Sequence, residues 1–76
     1  MIDRHRQRYE IVVRGRLSRR YEYAFDGATL VPRDGHTTLR VDLADQSQLY
    51  GLLNRLRDFG IELVSVNAVS EMRDAT

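Results

Sequence analysis

Cysteine, tryptophan and lysine are all missing from this chain, and its 76 residues include a single proline, Pro32. Without cysteine there are no disulfides, no thiolate metal ligands and no thiol nucleophiles. The two histidines, His5 and His36, stand without a second ligand at any metal-binding spacing, so no metal and no cofactor is expected. No apolar run approaches the ~20 residues that cross a bilayer. The opening Met1-Ile2-Asp3-Arg4-His5-Arg6 lacks the apolar stretch of a signal peptide. The expectation is a protein without membrane contact, with the cytoplasm as default compartment. Lysine is absent because all twelve basic residues are arginine. A GC-rich genome explains that bias most simply; selection of arginine for bidentate phosphate recognition is the lesser reading.

A chain of this length has room for one domain, 1–76, with residues 1–7 and 70–76 expected to be flexible. Such a chain buries only about 60% of its unfolded surface, and its core needs support. With disulfides and metals excluded, oligomerisation is the support that remains. The net charge of +1 also hides an asymmetry. Residues 1–20 hold seven arginines against Asp3 and Glu10, a net of +5, and the remainder holds five arginines against nine carboxylates, a net of −4. That separation suggests contact with nucleic acid or pairing between subunits.

Alternating apolar residues predict a first strand from Tyr9 to Leu17, with Tyr9, Ile11, Val13 and Leu17 on one side. A second strand is expected at Tyr21-Glu22-Tyr23-Ala24-Phe25, its three aromatics on one face. Asp26-Gly27 then reads as a hairpin turn. A short third strand spans Ala28–Val31 and stops at Pro32. Asp34-Gly35 is a second turn signal, followed by a fourth strand, Thr37–Leu43, with Leu39, Val41 and Leu43 inward.

The helix is the best-specified element. Asp45 is a good N-cap, with Gln48 at the capping-box spacing. Leu49, Leu52, Leu53, Leu56 and Phe59 form one apolar stripe at the helical period. Gly60 suits the left-handed position after the helix, with Ile61 packing back on Leu56. These signals predict a helix over Gln46–Phe59 and a closing strand, Ile61–Val69, apolar enough to be interior or central to a dimer. Gly51, mid-helix, predicts close approach to the sheet or a partner helix.

The stretch Asp45-Gln46-Ser47-Gln48-Leu49-Tyr50-Gly51-Leu52-Leu53-Asn54-Arg55-Leu56-Arg57-Asp58-Phe59-Gly60-Ile61-Glu62-Leu63-Val64-Ser65-Val66 resembles a family of small uncharacterised bacterial proteins of actinobacterial type. Their shared pattern is D-Q-x-x-L-x-G-L-L-x-x-[LI]-R-D-[LF]-G, followed by an apolar strand. The resemblance covers about a third of the chain and implies no activity, cofactor or site residue. Its positions are those that capping, the stripe and the closing glycine require on their own.

Candidate chemistry is thin. Asp34 and His36 share a turn, where an acid/base pair is weighed against an ordinary polar turn, and the latter is preferred. Asp42 and Asp45 are read as a strand residue and a cap before magnesium ligands. Tyr21, Tyr23 and Phe25 beside Arg19 and Arg20 are read as core or interface before a stacking platform for single-stranded nucleic acid. Arg4, Arg6 and Arg8 project to one side of an extended segment and, with Arg19 and Arg20, are the candidate nucleic-acid contacts. Weak or no binding is expected from them.

Five strands span about 19 Å and one helix covers about 10 Å. Apolar residues on both parities of the strands, such as Val12, Leu30, Val64 and Val66 beside Ile11, Val31 and Leu63, therefore point to a homodimer. The expected fold is α+β, a mainly antiparallel sheet in the order β-β-β-β-α-β with one amphipathic helix on one face, a ferredoxin-like relative. The expected role is a non-catalytic, homodimeric binding or regulatory module. The alternatives are a nucleic-acid-binding accessory protein and a small-ligand-binding domain or cofactor-free enzyme of the dimeric ferredoxin-like kind.

Overall fold

The computed structural model describes residues 6–25 and 27–69. The expected flexible ends fall largely outside the described residues, as do Arg4 and Asp26; Gln7 is already in the first strand. The elements are β1 (Gln7–Arg14), α1 (Tyr21–Ala24), β2 (Thr29–Arg33), β3 (His36–Leu43), α2 (Gln46–Asp58) and β4 (Leu63–Val69). The strands form one antiparallel sheet in the order β2-β3-β1-β4. Because β1 lies between β3 and β4 and opposes both, β3 and β4 run the same way, joined across β1 by α2.

The expected second strand is instead a single helical turn, so the order is β-α-β-β-α-β. Helical spacing decides this segment. Tyr21 and Phe25, four apart, fall on one side of the turn and stack with ring centroids 5.7 Å apart. Both meet the Phe59 ring edge-on, at 5.6 and 5.7 Å. Tyr23, which a strand would have aligned with them, is 90% exposed. Arg55 of α2 donates a hydrogen bond to the Ala24 carbonyl at 2.6 Å, tying α1 to the main helix.

With α1 helical, Gly27 at φ 75° closes that turn through Gly27 N–H to the Glu22 carbonyl instead of opening a hairpin. The hairpin turn is Asp34-Gly35, both residues at positive φ (49° and 79°), between the facing residues Arg33 and His36. Pro32 lies within β2, which a proline tolerates on a sheet edge. The closing strand begins at Leu63 and is an edge, not an interior strand.

α2 forms as its signals require. Asp45 Oδ1 accepts from Gln48 N–H at 2.9 Å, and Gln48 Oε1 accepts from Ala44 N–H at 2.8 Å, one residue before the usual capping-box partner. At the other end Gly60 at φ 74° donates to Arg57 and Ile61 N–H to Leu56, the Schellman pair. Leu49, Leu52 and Leu56 are buried; Leu53 is half-buried and Phe59 is 51% exposed, its ring on the edge of the aromatic group. The helix lies over Ile11, Val13, Leu39, Val41 and Leu43, all buried. Buried Thr37 is satisfied: its hydroxyl donates to the Gly15 carbonyl at 2.8 Å and accepts from Leu17 N–H at 3.1 Å. That pair turns the chain out of β1 at Gly15, before the expected end at Leu17.

Candidate functional site

Facing residues of an antiparallel ladder share a face. Tyr9, Ile11 and Val13 oppose Val41, Leu39 and Thr37 under α2. Arg8, Glu10, Val12 and Arg14 therefore stand on the open face beside Asp42, Arg40, Thr38 and His36. Leu30 and Val66, in register with Leu39 and Ile11, belong to the covered side. The open face is consequently polar, with Val12, Val31 and Val69 scattered among charges. Of the apolar surplus expected there, Ile11 is core and Leu30 and Val66 pack against it, while Val12 and Val31 stay on the open face.

Among the described residues, three ion pairs organise that face. Arg8 Nε lies 2.9 Å from Asp42 Oδ1, Arg40 Nε 3.2 Å from Glu10 Oε2, and Arg14 Nε 3.2 Å from Glu62 Oε1. The Arg8 hydrogen bond, reinforced by the charges of Arg8 and Arg6, holds the Asp42 carboxyl below its ordinary range against a smaller opposing effect of burial. Each pair is largely open to water, so each contributes little to stability. Their consequence is for charge. The basic first strand meets Asp42 and Glu62 within its own chain.

Of the candidate nucleic-acid residues, Arg6 and Arg8 are brought together and Arg19 and Arg20 lie elsewhere, beside α1. Arg6 and Arg8 border an open depression of about 480 Å³ with Arg40 and Thr29, and Arg6 donates to the Asp42 carbonyl at 2.9 Å. Arg19 and Arg20 are exposed beside α1, with Arg20 at its N-terminal boundary, and Arg4 lies outside the described residues. The aromatic platform is absent as drawn, because Tyr21 and Phe25 turn inward. His36 Nδ1 lies 3.1 Å from the Asp34 carbonyl oxygen, a backbone contact that fastens the turn. Asp42 is held by Arg8 and Asp45 by the helix it caps. Among the described residues no three His, Cys, Asp or Glu gather where a metal would need them, and no helix is long and apolar enough to cross a membrane.

The feature that a search of the sequence for chemistry passes over is the β4 edge. Leu63-Val64-Ser65-Val66-Asn67-Ala68-Val69 has no charge, no proline and no glycine. Its outer side is open among the described residues, and Leu63 and Val64 are 44% and 47% exposed. Beside its start, Leu53, Asn54, Leu56, Arg57, Ile61 and Leu63 line a groove of about 270 Å³ between α2 and the strand. The opposite edge, β2, carries Pro32 and Arg33, both of which discourage strand addition. The signal in the sequence is an uncharged β-branched run; strand order is needed to make it an edge.

Comparison with curated proteins and with solved structures gives no match. A family model does match, over residues 8–67, from the second residue of β1 to Asn67 in β4. The chain belongs to the family described as a domain of unknown function, DUF8691.

Proposed function

We propose that this domain is a non-catalytic binding module that works as a homodimer, in a regulatory or scaffolding role in the cytoplasm, with the β4 edge as its contact surface. One observation carries the reading: Arg8, Arg14 and Arg40 of the charged open face are paired with carboxylates of the same chain, whereas the β4 edge has neither charge nor proline to protect it. Free energy for association is available where apolar surface and unpaired backbone groups remain. The element order β-α-β-β-α-β and strand order β2-β3-β1-β4 support reading the domain as a relative of the ferredoxin-like plait with its first helix cut to one turn. Arginine without lysine and the 45–60 segment support the bacterial affiliation.

Light scattering coupled to gel filtration tests this reading. The expected mass at micromolar concentration is about twice the chain's 8.9 kDa. A monomer of full stability across that range overturns it.

The second reading, nucleic-acid binding, rests on the guanidinium groups of Arg6, Arg8 and Arg40 around one depression. Arg8 and Arg40 are each engaged by a carboxylate, and the open face offers no aromatic ring for stacking. Binding through these groups would be phosphate contact, falling steeply with salt. Fluorescence anisotropy with random oligonucleotides at about 50 mM salt is expected to show none. The third reading, a ligand site between helix and sheet, is opposed by the leucines, valines and isoleucine that fill that layer.

A further inference from the structure

We propose that β4 pairs antiparallel with β4 of a second copy about a two-fold axis at Val66, joining the two sheets into one; this rests on the homodimer reading above and specifies its contact. In an antiparallel sheet, alternate N–H and C=O groups of an edge strand point outward without partners. An uncharged seven-residue edge of β-forming residues is an aggregation hazard unless something covers it. The strand itself says what fits.

For two copies to join with both helices on one side of the sheet, a residue at the centre must face its own counterpart. With Val66 at the centre, Ser65 faces Asn67 and Val64 faces Ala68, while Leu63, beyond the bulge, shares the covered face with Val13 and is not matched to Val69, which shares the open face with Arg8. Over 64–68 every apolar residue then meets an apolar one, and the two polar residues meet each other. Moving the centre to Ser65 leaves only Val64 and Val66 to pair beside it before the bulge, and moving it to Asn67 sets Ser65 against Val69. Of the three, the Val66 centre pairs the longest run, 64–68, without a mismatch.

The neighbourhood agrees. The register of β4 on β1 shifts between Val12 and Val13, whose partners are Ser65 and Leu63, so Val64 is the bulged residue. The bend ends the regular edge at Ser65, which leaves the central pairs in undistorted strand and limits further strand addition. The apolar groove of Leu53, Ile61 and Leu63 flanks the start of β4, where the incoming strand would end. A charged partner finds nothing to pair with along β4, whereas a second copy brings the same uncharged residues in reverse order.

The absence of cysteine makes the register directly measurable. Val66→Cys is expected to crosslink to itself on mild oxidation, because facing Cα atoms lie about 4.5–5.5 Å apart, within disulfide reach. Leu63→Cys alone is expected to stay reduced, since its counterpart sits six residues along the seam, about 20 Å away. A mixture of Val64→Cys and Ala68→Cys is expected to crosslink. Val64→Lys, at an exposed position, is expected to shift the mass to a monomer with an unchanged circular dichroism spectrum. A dimeric mass with Val66→Cys reduced and Tyr50→Cys crosslinked moves the contact to α2 and overturns the register while leaving the homodimer standing. A monomeric mass for the unaltered chain overturns both.

Discussion

Gly51 sits in the middle of α2 with its α-carbon turned to solvent, and a Cβ built there meets no atom within 4 Å. The close approach expected for it does not occur within the chain. Glycine at such a site costs about 1 kcal/mol relative to alanine, so Gly51→Ala should raise stability in urea melts by that amount. Asp45 is the opposite case. Its carboxylate accepts the Gln48 N–H at the open end of the helix, and Asp45→Ala should cost about 1 kcal/mol. Asp42 reports on the open face. Its folded pKa lies below the ordinary aspartate value of 3.8, so the stability it lends is fully present above the unfolded value and is lost as pH falls through the folded one. Its carboxyl carbon should titrate below that value by NMR, and should move up in Arg8→Ala. The effect on stability will be a fraction of about 1 kcal/mol, because the pair is half in water.

Elements differ in how much they owe to their own residues. α2 is local: cap, stripe and C-terminal glycine agree, and its bounds follow within a residue. The depth of each stripe residue is not local. Leu52 and Leu56 are buried and should each cost about 2–5 kcal/mol as alanine; half-buried Leu53 should cost less. The segment 21–25 reads as a strand with three aromatics in line, yet it folds as a helical turn with two aromatics together. Phe59, thirty-odd residues on, decides by offering its ring to Tyr21 and Phe25. Urea melts distinguish the two arrangements: Phe25→Ala should cost about 3–5 kcal/mol, and Tyr23→Ala should be close to neutral. A large loss at Tyr23 would return the segment to a strand. The two Asp-Gly pairs make the same point, since Asp34-Gly35 joins two strands while Gly27 follows a helical turn.

At the scale of the molecule, a small core and an uncovered edge tie folding to association. If the β4 seam forms, the thermal midpoint should rise with protein concentration, a dependence that Val64→Lys should abolish. Alternation and capping identify which residues form core and helix, because periods of 2 and 3.6 are properties of the chain near each residue. Those local signals make the α+β class, α2, the Asp34-Gly35 turn and the inward set of β3 legible in the amino-acid sequence by itself. Strand order is decided elsewhere. Placing β1 between β3 and β4 brings Arg8 to Asp42 and Arg14 to Glu62 across more than thirty residues of chain, and so pairs two arginines of the basic N-terminal segment internally. The same placement leaves β4 outermost, turning an uncharged run with an interior character into an exposed edge. Such contacts join residues far apart in sequence, and their energies arise only once the sheet has assembled, so the tertiary structure alone decided them.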